Sequence, residues 1–291
     1  MSKSLTSWRY KAGVELTFQR KVSSIKNLEL WIQRIGFRTE NGIRKDLEKI
    51  KKTVPRKYMY RVGVDPDCIE IPTKILTSWS DAKRSIQAIL DGAKKTKLIA
   101  KNQGLSTGGG GHVHLSGMNL LTKYAIVRDM QNRPYVPWFF ADPDTTQQCN
   151  SINVNYCYRL VGYRWEKIVK YVREGNTPFH IWMKNYHTNI HIALNTIEFR
   201  FFDCFMDYEQ YEESLAFAQA YASWITGRVN NGEKFEVKIK NRISLLTQYN
   251  DFDKCLKEFR KLITDIGLPW ERYQKYTANL EERFTDIDLL T

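Results

Sequence analysis

The sequence predicts an α+β fold, an antiparallel sheet with one polar face and with helices packed on its other, apolar face. Three observations predict it. Five short segments alternate apolar and polar residues with the period of two that a strand imposes. Between and after them lie stretches in which apolar residues recur at helical spacing. Finally, 291 residues that are 42% hydrophobic and 13% aromatic can bury a substantial core.

The first strand is expected over 12–19, where Val14, Leu16 and Phe18 form one face and Glu15, Thr17 and Gln19 the other. A helix is expected over 24–35, capped by Ser24, and a second, basic one over 40–52. Tyr58–Val64 reads as a strand that ends at the turn composition Asp65-Pro66-Asp67. Cys68–Ile71 reads as another, stopped by Pro72, with Glu70 opposite Ile69 and Ile71. Ser80-Asp81 is placed as the cap of a long helix that reaches about Lys101 and buries Ile86, Ile89 and Leu90.

The glycine run Gly108–Gly111 then enters a strand, His112-Val113-His114-Leu115, whose two imidazoles share a face. A helix follows from Met118 to Met130. Residues 133–158 combine three prolines with many aromatics and are expected to be an irregular segment, packed on the core or closing over a site. A helix is expected over 160–174. His187, Asn189 and His191 alternate with Thr188, Ile190 and Ile192. Asn195 marks a turn, and in 196–202 Glu198 and Arg200 lie opposite Ile197, Phe199 and Phe201. Residues 208–228 form a strong helix, and 239–288 read as helical scaffold.

Composition limits the function classes. No run is long and apolar enough to span a bilayer, and the N-terminus lacks a signal peptide's apolar core. Five scattered cysteines without a CxxC pair argue for reduced thiols, a cytoplasmic location, and neither a disulfide framework nor a zinc–thiolate site. The net charge of +13 sits in residues 1–101, with 23 Lys/Arg against 10 Asp/Glu; the rest of the chain balances at 22 against 22. Such a basic third can serve nucleic acid, an acidic polymer or a nucleotide's phosphates, or it can be a set of solvated helix faces.

The polar sheet face holds Glu15, Glu70, Glu198, His112, His114, His187, Asn189, His191 and Arg200. A lone strand glutamate is usually solvated and a lone histidine usually hydrogen-bonded filler. Clustered carboxylates without a cation repel one another, whereas carboxylates beside one or two imidazoles suit Mg²⁺ or Mn²⁺. The set, rather than any member, points to a site.

Four segments also carry a resemblance: Gly13-Val14-Glu15, Asp67-Cys68-Ile69-Glu70-Ile71-Pro72-Thr73, Gly111-His112-Val113-His114 and Thr196-Ile197-Glu198-Phe199-Arg200. In this order they resemble the motifs of the amidoligase family, which belongs with the glutamine synthetase and glutamate–cysteine ligase superfamily. The resemblance covers about residues 10–230. It implies a glutamine synthetase-like sheet with a concave polar face, an amidoligase-like catalytic domain over 1–230, and a helical C-terminal extension over 231–291 packed on it.

It also implies ATP-dependent joining of a carboxylate to an amine, with Mg²⁺ or Mn²⁺ bridging nucleotide phosphates and an acyl phosphate as intermediate. By motif position Glu15, Glu70, Glu198 and His114 are the implied metal ligands. Arg200, His112 and His114 are the implied catalytic groups, and Gly110, Gly111, His112 and Arg200 the nucleotide-binding ones. His187, Asn189 and His191 are expected to orient substrate. The partners are then a small-molecule or peptide carboxylate and an amine.

One position departs from the family pattern Gly-x-Glu-x-Glu: Thr17 stands where a second carboxylate is common. Gln19 or a water can fill in, or one metal site is lost. The alternative is a catalytically weakened member that serves as a nucleic-acid-binding or structural protein.

Overall fold

The structure is a computed structural model, and it describes residues 6–20, 40–65, 68–100, 110–133, 135–140, 165–175, 188–191, 194–237 and 251–277. The helix expected over 24–35, His187, most of the 133–158 segment and much of 239–288 lie outside the described residues.

The fold class is the expected one. Seven strands form one sheet in which every pairing is antiparallel: β1 (Lys11–Arg20), β2 (Gly63–Asp65), β3 (Cys68–Pro72), β4 (Leu98–Ala100), β5 (His112–Ser116), β6 (Thr188–His191) and β7 (Thr196–Phe199). Their order is β2-β3-β1-β5-β7-β6, and β4 also pairs with β1. The ten-residue β1 is therefore the central strand. Its first half pairs with β5 (Glu15 opposite His112) and its last residues with β4 (Phe18 opposite Ala100), while β3 runs along its other edge.

Alternation along β1 buries Val14, Leu16 and Phe18 on the helix-covered side. Val113, Leu115, Ile190, Ile197 and Phe199 join that core from β5, β6 and β7. Seven helices accompany the sheet among the described residues: α1 (Glu40–Thr53), α2 (Trp79–Lys95), α3 (Leu120–Gln131), α4 (Trp165–Arg173), α5 (Tyr208–Asn230), α6 (Phe252–Asp265) and the single turn α7 (Trp270–Tyr273). Ile86, Ile89 and Leu90 of α2 are buried, as the helical spacing requires.

Three element assignments are corrected. The cap of α2 is Ser78, whose hydroxyl accepts from Asp81 N–H at 3.1 Å, rather than Ser80. The helix also stops at Lys95. Lys97 takes a left-handed conformation (φ 58°), and Leu98–Ala100 leave the helix to pair with β1. In the region expected as a strand from Tyr58 to Val64, only the end is strand; Met59 makes an isolated bridge to Thr73, and β2 begins at Gly63.

Helix α5 is buried on nearly all sides, not along one stripe. It carries polar side chains inside because each has a partner. Gln219 accepts from Tyr10 N–H at 2.9 Å and donates to Tyr10 C=O at 2.8 Å, pinning the start of β1. Glu213 accepts from Arg272 at 2.9 Å and from Tyr276 at 2.7 Å, which ties the described C-terminal turns to α5.

The described part of the aromatic segment is core. Tyr135, Val136, Phe139 and Phe140 are buried, and Phe139 stacks on Phe259 of α6 with ring centroids 4.3 Å apart. No helix among the described residues is long and apolar enough to cross a membrane.

Candidate functional site

Register decides which polar side chains can meet. Directly opposed residues of an antiparallel pair share a face and stand about 5 Å apart. Glu15 of β1 opposes His112 of β5; one step along, His114 opposes Glu198 of β7, which opposes Asn189 of β6. Three neighbouring strands thus deliver Glu15, His112, His114 and Glu198 to one spot.

The contacts are close. His112 Nδ1 lies 3.0 Å from Glu15 Oε2 and 3.3 Å from Glu198 Oε1. His114 Nε2 donates to Glu15 Oε1 at 3.1 Å and lies 3.9 Å from Glu198 Oε1. The other ring nitrogen of His114 meets the Thr196 hydroxyl at 3.1 Å, so both sides of the imidazole are held. Arg200, two residues beyond Glu198 and on its face, brings Nε to 3.3 Å from Glu198 Oε1.

Burial intensifies these charges. His114, Glu198 and Arg200 are each under a tenth exposed, so this polar face is a recess rather than an open surface. Burial acts to raise the Glu15 carboxyl, but the hydrogen bonds and positive charge of His112 and His114 outweigh it and hold Glu15 well below the usual carboxylate range. Burial acts to lower His114, yet Glu15 and Glu198 on either side raise it above the ordinary imidazole value.

Glu15, His114 and Glu198 each offer a ligand atom, and these atoms lie within 4.8 Å of one another. Two carboxylates and one imidazole form a donor set that fits Mg²⁺ or Mn²⁺. Glu70 stands on the same face, opposite Thr17 across the β1–β3 pair, and is not among the three. His191 sits beside the group, its ring centroid 6.0 Å from that of His114, and its Nδ1 accepts from Leu194 N–H in the β6–β7 turn. Asn189 is placed in β6 at the register position opposite Glu198.

Gly110 and Gly111 are each held by the fold. Gly110 has φ 120°, a conformation side chains disfavour. A Cβ on Gly111 would lie 2.4 Å from Asp203 O, so only glycine lets this chain pass. Gly110 N–H donates to the Thr17 hydroxyl and Gly111 N–H to Phe202 C=O, both at 2.8 Å. Neither N–H is left to meet a phosphate.

Thr17 is explained by the same contact. Its hydroxyl accepts from Gly110 N–H and donates to Gly110 C=O at 2.8 Å. It sits where β1 has left β5 and not yet met β4, and it closes that gap with two hydrogen bonds.

Three contributors are not singled out by the sequence pattern. Thr196 orients His114. Asp203, fully buried, presents the backbone oxygen against Gly111. Lys123 of α3 donates to Asn195 C=O at 2.8 Å and to its side-chain oxygen, fixing the β6–β7 turn in which Asn195 has φ 53°. Only Asn195 carried a local signal, as a residue tolerant of that conformation.

No family model matches the chain, and no curated protein is detectably similar to it in sequence. Solved structures similar to it include a GmaS–ADP complex, at 12% identity over 95% of this chain and 70% of that one, with a TM-score of 0.48. Another is the complex between the prokaryotic ubiquitin-like protein Pup and its ligase PafA, at 11% identity over 96% and 63%, with a TM-score of 0.46. A third is a novel glutamine synthase homolog, at 12% identity over 96% and 67%, with a TM-score of 0.39. The chain thus spans less than two thirds of the Pup-ligase complex chain it matches.

Proposed function

We propose that this protein is an ATP- and divalent-cation-dependent ligase that joins a carboxylate to an amine. The observation that carries the reading is the convergence of Glu15, His114 and Glu198, from three adjacent strands, to within 4.8 Å, with Arg200 at 3.3 Å from Glu198. The motifs around these residues are those that resemble the amidoligase family.

Glu15, His114 and Glu198 would hold the cation, and when bound it would neutralise charge on the nucleotide's phosphates. Each protein group has a task that its surroundings suit. Glu15 is ionised throughout the physiological range because the imidazoles beside it keep its proton off. Thr196 holds the His114 ring in place through Nδ1, which leaves Nε2 facing the carboxylates. The Arg200 guanidinium, always charged, would stabilise negative charge that develops on a transferring phosphoryl group. The recess keeps these charges in a low-dielectric surrounding where each counts for more. Glu70 would add a further metal ligand, His112 would act on the nucleotide and in catalysis, and His187, Asn189 and His191 would orient substrate.

A weakened binding protein is the second reading, and Thr17 is the residue that favours it, because its hydroxyl is committed to Gly110. One assay separates the two. ATP-dependent phosphate release is measured with pooled carboxylates and hydroxylamine as a small surrogate amine. Hydroxamate formation that requires Mg²⁺ and is abolished in Arg200→Ala supports the ligase. Failure of wild type to turn over ATP with any pool contradicts it.

A further inference from the structure

On the far side of β3 from the site, the chain before β2 carries an unusual surface. Residues 49–64 hold six Lys/Arg and no Asp/Glu, and 71–79 add Lys74 and again no acid. Arg56, Lys57, Arg61 and Lys74 are exposed, and no carboxylate of the described residues pairs with any of them. Among the described residues, two of the three large hydrophobic side chains most exposed to solvent lie here: Tyr60 at 76% and Ile75 at 72%. Lys57 Nζ rests over the Tyr58 ring, 4.9 Å from its centroid.

Register connects this surface to the recess. Met59 bridges Thr73, and Tyr60 N–H donates to Pro72 C=O at 2.9 Å, so Tyr60 opposes Pro72. Pro72 in turn opposes Glu15, and Glu15 opposes His112. Opposed residues share a face, so His112, Glu15, Pro72 and Tyr60 form one row on the polar side of the sheet. The adjacent row, Val14, Thr73 and Met59, is buried on the core side, as the alternation demands. Two strand spacings separate Tyr60 from Glu15, about 10 Å.

We propose that this basic and aromatic rim docks an acidic polypeptide segment, and that this segment brings the carboxylate substrate to the Glu15–Glu198 site. The proposal rests on the ligase reading for the substrate role alone; docking stands on the surface itself. Charge complementarity selects an anionic partner. Ile75, exposed two residues beyond the Met59–Thr73 bridge, offers an apolar contact that suits a peptide side chain better than a stacked base. Continuity of the row with a site read as handling carboxylates selects the same occupant. Rim charges of this kind steer association and make it salt-dependent.

The test is fluorescence anisotropy, without nucleotide, of a labelled dodecapeptide rich in glutamate with two leucines, against an oligothymidylate of equal length. Wild type is expected to bind the peptide, and Arg56→Glu with Arg61→Glu to weaken it about tenfold, the scale of two exposed ion pairs replaced by repulsions. Arg61→Lys should retain binding, which controls for folding. No binding by wild type, or binding indifferent to the charge reversals, overturns the proposal. So does an oligothymidylate that binds while the peptide neither binds nor competes. If the peptide docks but ATP does not bind, the ligase reading falls and the docking surface stands; the reverse pattern removes this proposal alone.

Discussion

Thr17 and Gly111 show how single residues set the limits of the recess. A hydroxyl that both donates to and accepts from one backbone unit is held in place by it, so Thr17 is a clasp. Thr17→Val keeps the shape and removes both bonds, leaving the buried Gly110 backbone without a partner there. It is expected to cost about 2 kcal/mol in urea unfolding. Gly111→Ala drives a methyl against the Asp203 backbone, which cannot swing aside as a side-chain tip could, and is expected to cost about 3 kcal/mol in the same measurement. Sequence alone marks Thr17 as a departure and the glycines as permissive. It does not reveal that they answer each other, because 93 residues separate Thr17 from Gly110 and neither bears a local sign of the pairing.

At the scale of elements, alternation is a strong signal where one face is buried. Period alone puts Glu15, His112, His114 and Glu198 on the polar face, and the register brings them together. A helix with clear apolar spacing, such as α2, is legible for the same reason. Short elements are not. Leu98–Ala100 continue an apolar pattern after α2, and only pairing with β1 makes them a strand. Pairing partners likewise decide Tyr58–Val64, where a single bridge at Met59 replaces a continuous ladder.

The β6–β7 hairpin depends on a distant residue as well. Burial pushes the Lys123 ammonium down, and Asn195 supplies two oxygens to it. Lys123→Met fills similar space without the charge and leaves the turn unbraced. The expected loss is about 2 kcal/mol of stability, read by thermal unfolding.

The whole molecule is held by a second polar cluster away from the site. Asp129 of α3 accepts from Arg133 at 2.8 Å, from Tyr221 at 2.6 Å and from Arg228 at 3.1 Å, joining α3 to α5. Burial acts to raise the Asp129 carboxyl, but these partners outweigh it and hold it below its ordinary value. A depressed carboxyl stabilises the fold above its unfolded pKa of about 4, and that contribution is lost as pH falls through the lower folded value. Asp129→Asn is therefore expected to cost about 3 kcal/mol at neutral pH. Below about pH 4 the gap between variant and wild type should narrow, measured as denaturant midpoints across pH.

At this scale the +13 charge, concentrated in the first third, is plain in the sequence. Its arrangement around Tyr60, in register with Glu15, emerges only when β3 is laid between them.

The central claim is that Glu15, His114 and Glu198 form a cation-dependent nucleotide site. Titration calorimetry with ATP, with and without Mg²⁺, on wild type and on Glu198→Ala tests it most directly. Wild type is predicted to bind ATP only with Mg²⁺, and the variant to lose at least about tenfold in affinity. Equal binding by both proteins, binding indifferent to Mg²⁺, or no binding by wild type would contradict the claim.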